Sequence, residues 1–253
     1  MDSFITKYLE RIKYEGSLEP SYETLYGIHV GHALNIPFEN LDVCDRKPVL
    51  LDPDTLFHKI VENGRGGYCF EMNGLLSAVL KKLGFQVTDV LARACLGGEV
   101  FFAKLHHVML VELGNQTWLV DVGFGGEGIT APVLLEVGTE QKQFVNTYRI
   151  VTHPSFGYVL QRKKDGEYIN IYAFNMEGCI PIDCVVANHF TATFPESLFL
   201  KEKFCTIPTK EGRITLTEGH FKIIEGDKVT ETKLSDSKEF NQLLEQYFGI
   251  AAE

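Results

Sequence analysis

The change in hydrophobic periodicity at Gly84 is the feature that most restricts what this chain can fold into. Before Gly84, apolar residues recur at the i, i+3, i+4, i+7 spacing of an amphipathic helix. One such series is Ile5, Tyr8, Leu9 and Ile12. After Gly84, short segments rich in β-branched and aromatic residues follow one another, which is typical of strands. The predicted class is therefore α+β, with helices and strands in separate stretches.

The positions of the predicted elements follow from these patterns. Asp52 and Pro53 are suited to the N-cap and first position of a helix that ends at Gly64, and a second helix runs from Phe70 to Gly84. A last helix begins at Asp236. The predicted strands are residues 85–94, 107–113, 117–122, 144–152, 158–161, 168–174, 213–216 and 220–224.

Composition excludes several classes of partner. The net charge of -10 argues against a nucleic-acid or anionic-membrane surface, because such surfaces need clustered basic residues. No apolar run approaches the roughly 18 to 20 residues of a membrane span, and the N-terminus has no basic-then-apolar signal region. We therefore expect a cytoplasmic protein. Its six cysteines show no Cys-x-x-Cys pair and are expected to be reduced thiols.

Cys69 is the candidate nucleophile. It stands between a glycine-rich loop, residues 64–67, and the predicted helix that starts at Phe70. A thiol reacts as the thiolate, which a helix N-terminus stabilises through its unpaired N–H groups and dipole, and Arg65 could add positive potential. The alternative is an unreactive, buried cysteine beside a glycine turn.

A predicted hairpin supplies a base and a carboxylate. Its strands, residues 107–113 and 117–122, are joined at residues 114–116. With a three-residue loop, His107 and Asp121 share one face as diagonal neighbours about 7 to 8 Å apart at Cα. With a two-residue loop they lie on opposite faces. Asp121 follows apolar strand residues, and an imidazolium partner would offset the cost of burying it; the alternative is an aspartate that caps the following glycine turn.

The glycine-rich segment 123–128 fits the G-x-G-x-x-G pattern of dinucleotide-binding sites. The residues that follow it begin no convincing helix, and the surroundings lack the βαβ alternation that this motif needs. We therefore do not predict a Rossmann fold. Gly125 and Gly126 remain candidate cofactor-binding residues, because their backbone N–H groups could face a phosphate or an oxyanion. A wide turn without a ligand is the alternative.

Four ordered motifs resemble those of the arylamine N-acetyltransferases. The family signature Arg-Gly-Gly-aromatic-Cys-aromatic-Glu-x-Asn is met at residues 65–73, and the N-terminal motif Ile-Pro-Phe-Glu-Asn-Leu at residues 36–41. The strand that begins at His107 is similar to the family's histidine motif, and residues 121–125 to its aspartate motif. Further similarity extends to Phe221. The resemblance implies a helical bundle (1–83), a central β-barrel (84–187) and a C-terminal α/β lid (188–253).

The resemblance also implies a cysteine-protease-like triad of Cys69, His107 and Asp121. His106 is the rival to His107, which we prefer because the family's apolar strand run follows it; His106 is then a substrate-site residue. The interval from His107 to Asp121 looks one residue shorter than in several relatives. Three phenylalanines are candidate substrate contacts by family position, although each could be ordinary core. They are Phe38, Phe124 and Phe199.

The implied reaction is transfer of an acetyl group from acetyl-CoA, as co-substrate, to an arylamine or arylhydrazine through acetyl-Cys69, with ping-pong kinetics. No metal is expected, since metal-ligand spacing is missing. A cysteine peptidase or transglutaminase-like enzyme with the same triad is the alternative, although the Cys-Gly-x-Cys-Trp peptidase signature is absent. A non-enzymatic thiol sensor or metal protein is a third possibility.

Overall fold

A computed structural model of the chain describes residues 2–96 and 100–251. These residues form seven α-helices and thirteen β-strands. The helices are α1 (Ser3–Ile12), α2 (Tyr22–Asn35), α3 (Leu41–Cys44), α4 (Pro53–Phe57), α5 (Cys69–Lys82), α6 (Pro181–Thr193) and α7 (Ser237–Phe248). The strands are β1 (Phe38–Glu39), β2 (Gln86–Leu96), β3 (Val100–Leu113), β4 (Gln116–Val120), β5 (Val133–Leu134), β6 (Gln141–Gln143), β7 (Asn146–His153), β8 (Gly157–Lys164), β9 (Glu167–Phe174), β10 (Phe204–Pro208), β11 (Gly212–Thr217), β12 (His220–Glu225) and β13 (Lys228–Lys233).

Local sequence signals place the helix ends. The Asp52 carboxylate accepts a hydrogen bond from the Thr55 N–H at the start of α4, and Asp236 accepts one from the Glu239 N–H at the start of α7. Both predicted N-caps are therefore confirmed. A π-helical turn, His58–Glu62, continues α4 towards the glycine loop. The predicted apolar face of α1 is buried, as expected from its spacing; it consists of Ile5, Tyr8, Leu9 and Ile12.

Eight strands form a nearly closed antiparallel barrel in the order β5-β4-β3-β2-β9-β8-β7-β6. Its two edge strands meet through side-chain hydrogen bonds. The Gln141 amide oxygen accepts from the Leu134 N–H at 2.8 Å, and its NH₂ group donates to the Leu134 carbonyl at 2.9 Å. This bridging satisfies backbone groups that an open edge would leave unpaired. The antiparallel pairing also agrees with our rejection of a Rossmann fold.

A second sheet of five strands has the order β1-β10-β11-β12-β13. Strand β1, from the helical N-terminal part, pairs with β10 through Phe38 opposite Thr206 and Glu39 opposite Cys205. Helix α7 packs on this sheet by burying Phe240, Leu244 and Phe248. Consequently, the C-terminal sheet is attached directly to the segment that precedes the glycine loop.

Three apolar clusters stabilise these units. The largest joins the helices to one face of β3 and β4 and includes Cys69. A second fills the barrel, and a third lies between the five-stranded sheet and α7. Burial of this apolar surface is the main favourable contribution to folding. The nucleophile candidate therefore lies in the helical core, where that core meets the barrel wall.

This architecture confirms the predicted α+β class with a helical N-terminal part and a central barrel. The predicted domain boundaries remain predictions, and the one at 187/188 falls inside α6. Met1, residues 97–99 and residues 252–253, which the predicted domains include, lie outside the described residues. Among the described residues, no helix has both the length and the apolar character needed to cross a membrane.

Candidate active site

Cys69 is the first residue of α5, which therefore begins one residue before the predicted start at Phe70, and its side chain is buried. Tyr68 is the N-cap residue. Its N–H group donates to the Glu71 carboxylate at 3.1 Å, and its carbonyl accepts from the N–H groups of Glu71 and Met72. The nucleophile candidate therefore lies where a helix has unpaired N–H groups and the positive end of its dipole.

The length of the β3–β4 turn decides which histidine faces Asp121. Leu113 pairs with Gln116, so the turn has two residues, Gly114 and Asn115, and not the three that we predicted. Gly114 has φ +59°, which suits the first central position of a type II′ turn. The same register pairs Met109 with Val120.

Extending this register by one residue places Asp121 opposite Val108. Because side chains alternate across a strand, His106 then shares the face of Asp121, and His107 points to the other face. The contacts agree: His106 Nε2 lies 2.8 Å from Asp121 Oδ2. The prediction that His107 pairs with Asp121 was therefore wrong, since it depended on a three-residue loop.

The Asp121 carboxylate is held from three directions. Besides His106, it accepts hydrogen bonds at Oδ1 from the Asn73 amide at 2.8 Å and the Gly123 N–H at 2.9 Å. Burial alone would raise the pKa of Asp121, but the charge of His106 and these donors lower it below its ordinary value. Asp121 is consequently a carboxylate in the folded protein, aimed at one histidine.

His106 is protonated at neutral pH for the corresponding reason. Its burial opposes protonation, but the Asp121 carboxylate and the hydrogen bond and charge of Cys69 raise the pKa of His106 to about 10. Since Nε2 faces Asp121, the ring nitrogen left for Cys69 is Nδ1. The three side chains thus form a thiol–imidazole–carboxylate series of the kind used in nucleophilic catalysis.

His107 belongs to a different cluster. Its Nε2 lies 2.9 Å from Asp89 Oδ1 on the face of β3 opposite to that of His106, and Asp89 also pairs with Lys81 of α5. Burial opposes the charge of Asp89, yet His107 and Lys81 hold the pKa of that carboxyl well below its ordinary value. Counted from His106, the interval to Asp121 is one residue longer than from His107.

Asn73 is a further site residue, the last of the motif at residues 65–73, for which we predicted no role. Its NH₂ group donates to the His107 carbonyl at 2.7 Å as well as to Asp121, and its Oδ1 accepts from the Val122 N–H at 2.9 Å. It lies four residues after Cys69, on the same face of α5. That spacing was the available signal. Asn73 ties the nucleophile helix to the strands that carry His106 and Asp121.

Arg65 does not act as we expected. Its guanidinium pairs with Glu39 at 2.9 Å and Asp42 at 3.2 Å, and Lys59 joins the same cluster through Asp42 at 2.6 Å and Glu71 at 2.7 Å. Its positive charge is therefore neutralised by these carboxylates and not offered to Cys69. Since Glu71 also accepts from the Tyr68 N–H, this cluster anchors the start of α5.

The predicted substrate and cofactor residues lie close together. Phe124 contacts the ring of His106 edge-on, with centroids 5.0 Å apart, and Phe38 lies 6.2 Å from Phe199. Phe38 and Phe124 line a small cavity of about 20 Å³ together with Gly125. A Cβ atom placed on Gly126 would have open space for 4 Å around it within the described part of the chain. Of these residues, Phe38 therefore lies against the glycine segment that follows Asp121 and that contains Phe124 and Gly125.

A larger cavity, of about 550 Å³, lies between β3 and α6. It reaches Leu105, whose carbonyl oxygen is 4.0 Å from Cys69 Sγ. Its walls are mostly apolar, and charged side chains lie at Lys104, Glu177 and Asp183. The sequence did not predict this cavity, because α6 was not predicted. Within residues 2–96 and 100–251, no group of three or more ligating side chains could hold a metal.

The chain also matches known proteins along its length. A family model described as N-acetyltransferase matches residues 21–253. The arylamine N-acetyltransferase / N-hydroxyarylamine O-acetyltransferase of Salmonella typhimurium is 33% identical over 253 residues, which cover 99% of this chain and 90% of that protein. The chain belongs to the arylamine N-acetyltransferase family.

Solved structures of arylamine N-acetyltransferases share this fold. The Salmonella typhimurium structure superposes with a TM-score of 0.93 over 98% of this chain and 92% of that one. The Mycobacterium marinum structure in complex with CoA has a TM-score of 0.91, 32% identity, and coverage of 97% and 92%. A Bacillus cereus structure, described with a Cys-His-Glu catalytic triad, is 26% identical, with a TM-score of 0.92 and full coverage of both chains.

Proposed function

We propose that this chain transfers an acetyl group from acetyl-CoA to an arylamine or arylhydrazine through a thioester on Cys69. The observation that carries the proposal is the 2.8 Å contact of His106 with Asp121, together with the raised pKa of His106, to which Asp121 and Cys69 both contribute. The triad is thus Cys69, His106 and Asp121. Relatives named arylamine N-acetyltransferase support the reaction, and the Bacillus cereus relative supports a cysteine–histidine–carboxylate arrangement.

In the first half-reaction, the Cys69 thiolate attacks the thioester carbonyl of acetyl-CoA. Unpaired N–H groups at the start of α5 stabilise the tetrahedral oxyanion. The C–S bond to CoA then breaks, and the CoA thiolate takes the proton held by His106. This step leaves acetyl-Cys69 and a neutral imidazole, still oriented by Asp121.

In the second half-reaction, the amine nitrogen attacks acetyl-Cys69. His106 Nδ1 removes the proton from that nitrogen as the new amide bond forms, and the Cys69 thiolate leaves. The imidazolium–thiolate pair is thereby restored. Because both half-reactions use one thiol, the two substrates react in turn, and the expected kinetics are ping-pong.

The cavity between β3 and α6 is the proposed entrance for the acceptor. Its volume of about 550 Å³ lies within the usual range for small-molecule sites, and its lining residue Leu105 has its carbonyl oxygen 4.0 Å from Cys69 Sγ. Apolar residues such as Leu91, Val186 and Phe190 line it, which suits an aromatic ring. Phe124, which packs on His106, is the proposed inner contact.

Gly125 and Gly126 are the proposed contacts for CoA. Arg213 lines the small cavity beside Gly125, and its guanidinium donates to the Thr206 hydroxyl at 3.2 Å. A cation next to exposed backbone N–H groups favours an anionic group such as a phosphate. The Mycobacterium marinum relative, whose structure was solved in complex with CoA, supports CoA as the carrier of the acetyl group. Location in the cytoplasm remains a prediction from the sequence.

Intact-protein mass spectrometry tests the proposal. Incubation with acetyl-CoA alone should add one acetyl group, and the adduct should map to Cys69. Adding an arylamine should remove that group and yield the acetylated amine. Hydrolysis of peptide substrates without an acetyl adduct would instead identify a cysteine peptidase or transglutaminase-like enzyme. Cys69→Ser should abolish the adduct, and Cys205→Ser serves as the control for a buried cysteine elsewhere.

A further inference from the structure

Two cysteines outside the triad lie in contact. The sulfur atoms of Cys179 and Cys184 are 3.7 Å apart, across the start of α6. Cys179 precedes the helix, and its N–H group donates to the Asp89 carbonyl at 2.8 Å, which fixes it to β2. A disulfide has an S–S length of about 2.05 Å, so rotation of the two side chains would have to bring the sulfurs about 1.7 Å closer.

The two thiols differ in access. Cys179 is half-buried and lines the large cavity, whereas Cys184 is buried against the helical core. A hydrogen bond from Cys184 lowers the pKa of Cys179, although burial and the nearby carboxylates Asp89 and Asp183 oppose this. The same contact and burial raise the pKa of Cys184. Cys179 is therefore the more reactive thiol, with Cys184 behind it as its partner.

We propose that Cys179 and Cys184 form a reversible disulfide when a peroxide enters the cavity. The Cys179 thiolate attacks one peroxide oxygen, the O–O bond breaks, and Cys179 becomes a sulfenic acid. The Cys184 thiol then attacks that sulfur, the S–O bond breaks, and water leaves. Overall, two thiols and one hydrogen peroxide give one disulfide and two waters. The two electrons lost by the sulfurs reduce the peroxide.

This bond would lie in the wall of the cavity that we propose as the acceptor's entrance, where Cys179 is a lining residue. It would join the segment anchored on β2 to the first turn of α6, which also carries Asp183 into the cavity lining. The disulfide would therefore restrict the wall past which the acceptor enters. This consequence rests on the proposed function, whereas formation of the disulfide does not.

Peptide mapping tests the bond itself. The tryptic peptide 165–201 contains Cys179 and Cys184 and no other cysteine. After treatment of the native protein with hydrogen peroxide, this peptide should lose the mass of two hydrogens and resist alkylation. Cleavage of the peptide before Asp183 separates Cys179 from Cys184 in the chain. The two fragments should stay linked by the disulfide until a dithiol reductant is added. In Cys184→Ser, Cys179 should instead be trapped as a sulfenic acid by dimedone.

Cys44→Ser is the matched control, because Cys44 is also half-buried but burial raises its pKa to about 11. This variant should form the 179–184 bond at the unchanged rate. The proposal is overturned if both cysteines of the native protein remain fully alkylated after peroxide, or if the same mass loss persists in Cys184→Ser.

The effect of the disulfide on acceptor kinetics is measured separately. Cys69 is first acetylated with acetyl-CoA to protect it, the protein is treated with peroxide, and acceptor kinetics are recorded. We expect KM for the arylamine to rise at least threefold, with recovery after dithiol reduction and no change in Cys184→Ser. A linked peptide with unaltered KM would reject the gating role but keep the disulfide. Failure of Cys69 to acetylate would count only against the proposed function.

Discussion

Gly123 lies directly against the backbone of Cys69. A Cβ atom at position 123 would be 2.7 Å from the Cys69 Cα and 2.9 Å from the Asn73 side chain, closer than such atoms normally approach. The missing side chain lets the segment after Asp121 reach the start of α5. The distance between the Asp121 carboxylate and the Cys69 thiol therefore depends on position 123 having no side chain.

Gly123→Ala should push β4 away from α5. Overpacking of this kind typically costs about 1–3 kcal/mol of folding free energy. We also expect slower acetylation of Cys69, because the Gly123 N–H and Asn73 both hold Asp121. Gly219→Ala is the control, since its Cβ would meet open space and it lies between β11 and β12, away from the triad. Chemical denaturation and single-turnover acetylation measure the two effects, and equal behaviour of both variants would contradict the prediction.

Substitution of the two neighbouring histidines should separate their roles. His106→Gln should slow acetylation of Cys69 by about 10²–10⁴-fold, the range for loss of a general acid–base group. His107→Gln should keep acetylation within about tenfold, because its partner is Asp89 on the other face. The measurement is the rate of acetyl transfer from acetyl-CoA by intact mass. An active His106→Gln beside an inactive His107→Gln would reverse our assignment.

The pKa of His106 should respond to both of its partners. The charge of Asp121 raises the pKa of His106 more than the charge of Cys69 does. Asp121→Asn should therefore lower this pKa more than Cys69→Ala does. NMR titration of the His106 ring would measure the shifts.

The raised pKa of His106 also predicts how the stability of the protein depends on pH. The ion pair stabilises the fold fully below about pH 6.5, and this contribution is lost as the pH rises through about 10. A titration of His106 near 6.5 in the native protein would contradict the ion pair.

Acid should destabilise the fold through His29, which is buried behind Asp121. Burial lowers the pKa of His29 to about 4, although Asp121 acts in the opposite direction. Between pH 6.5 and 4 the unfolded chain binds a proton that the folded chain does not, so stability falls as the pH falls. The expected loss from this group is about 3 kcal/mol.

Denaturation curves at several pH values should show a smaller acid slope for His29→Gln than for the native protein. The slope should not vanish, because burial also holds the pKa of His32 well below its ordinary value. Identical slopes for variant and native protein would show that His29 does not titrate in this way.

Arg65→Met should strongly destabilise the protein. It leaves Glu39, whose side chain is fully buried, with Lys59 at 3.8 Å as its remaining ion-pair partner among the described residues. Removal of one member of a buried pair typically costs about 3–5 kcal/mol. Lys7→Met is the control, since its pair with Glu62 is largely exposed and should contribute under about 1 kcal/mol. Thermal unfolding compares the two, and similar losses would contradict the buried cluster.

Local signals in the sequence were enough to predict the positions of some of the site residues. Cys69 lies at a helix start because the glycine loop and the apolar periodicity after Phe70 define that helix, and Asp121 lies at a strand end. The helix α6 was missed, although Pro181 at its first position and Asp183 two residues later were usable signals. Asp183 accepts from the Ile180 N–H at 2.9 Å, as an N-terminal acidic residue does.

The choice of histidine could not be made from local signals. Two adjacent histidines on a strand point to opposite faces, and periodicity alone does not say which of them shares the face of Asp121. The residues Gly114, Asn115 and Gln116 are compatible with a loop of either length. The partner of His107 also arises from pairing between β2 and β3, which brings Asp89 near it across the sheet. Strand β13 was missed because all six of its residues are exposed and give no alternation.

The two-residue turn at Gly114 and Asn115 makes the site sensitive to insertion and deletion. A third residue in this turn would shift β4 by one position, so that Asp121 would face the side of His107 and leave His106 without its carboxylate. Such a change touches no residue of the triad and lies on an exposed hairpin, where length changes are normally tolerated. Among naturally occurring variants, we therefore expect the length of this turn to be constrained as strictly as the identity of the cysteine.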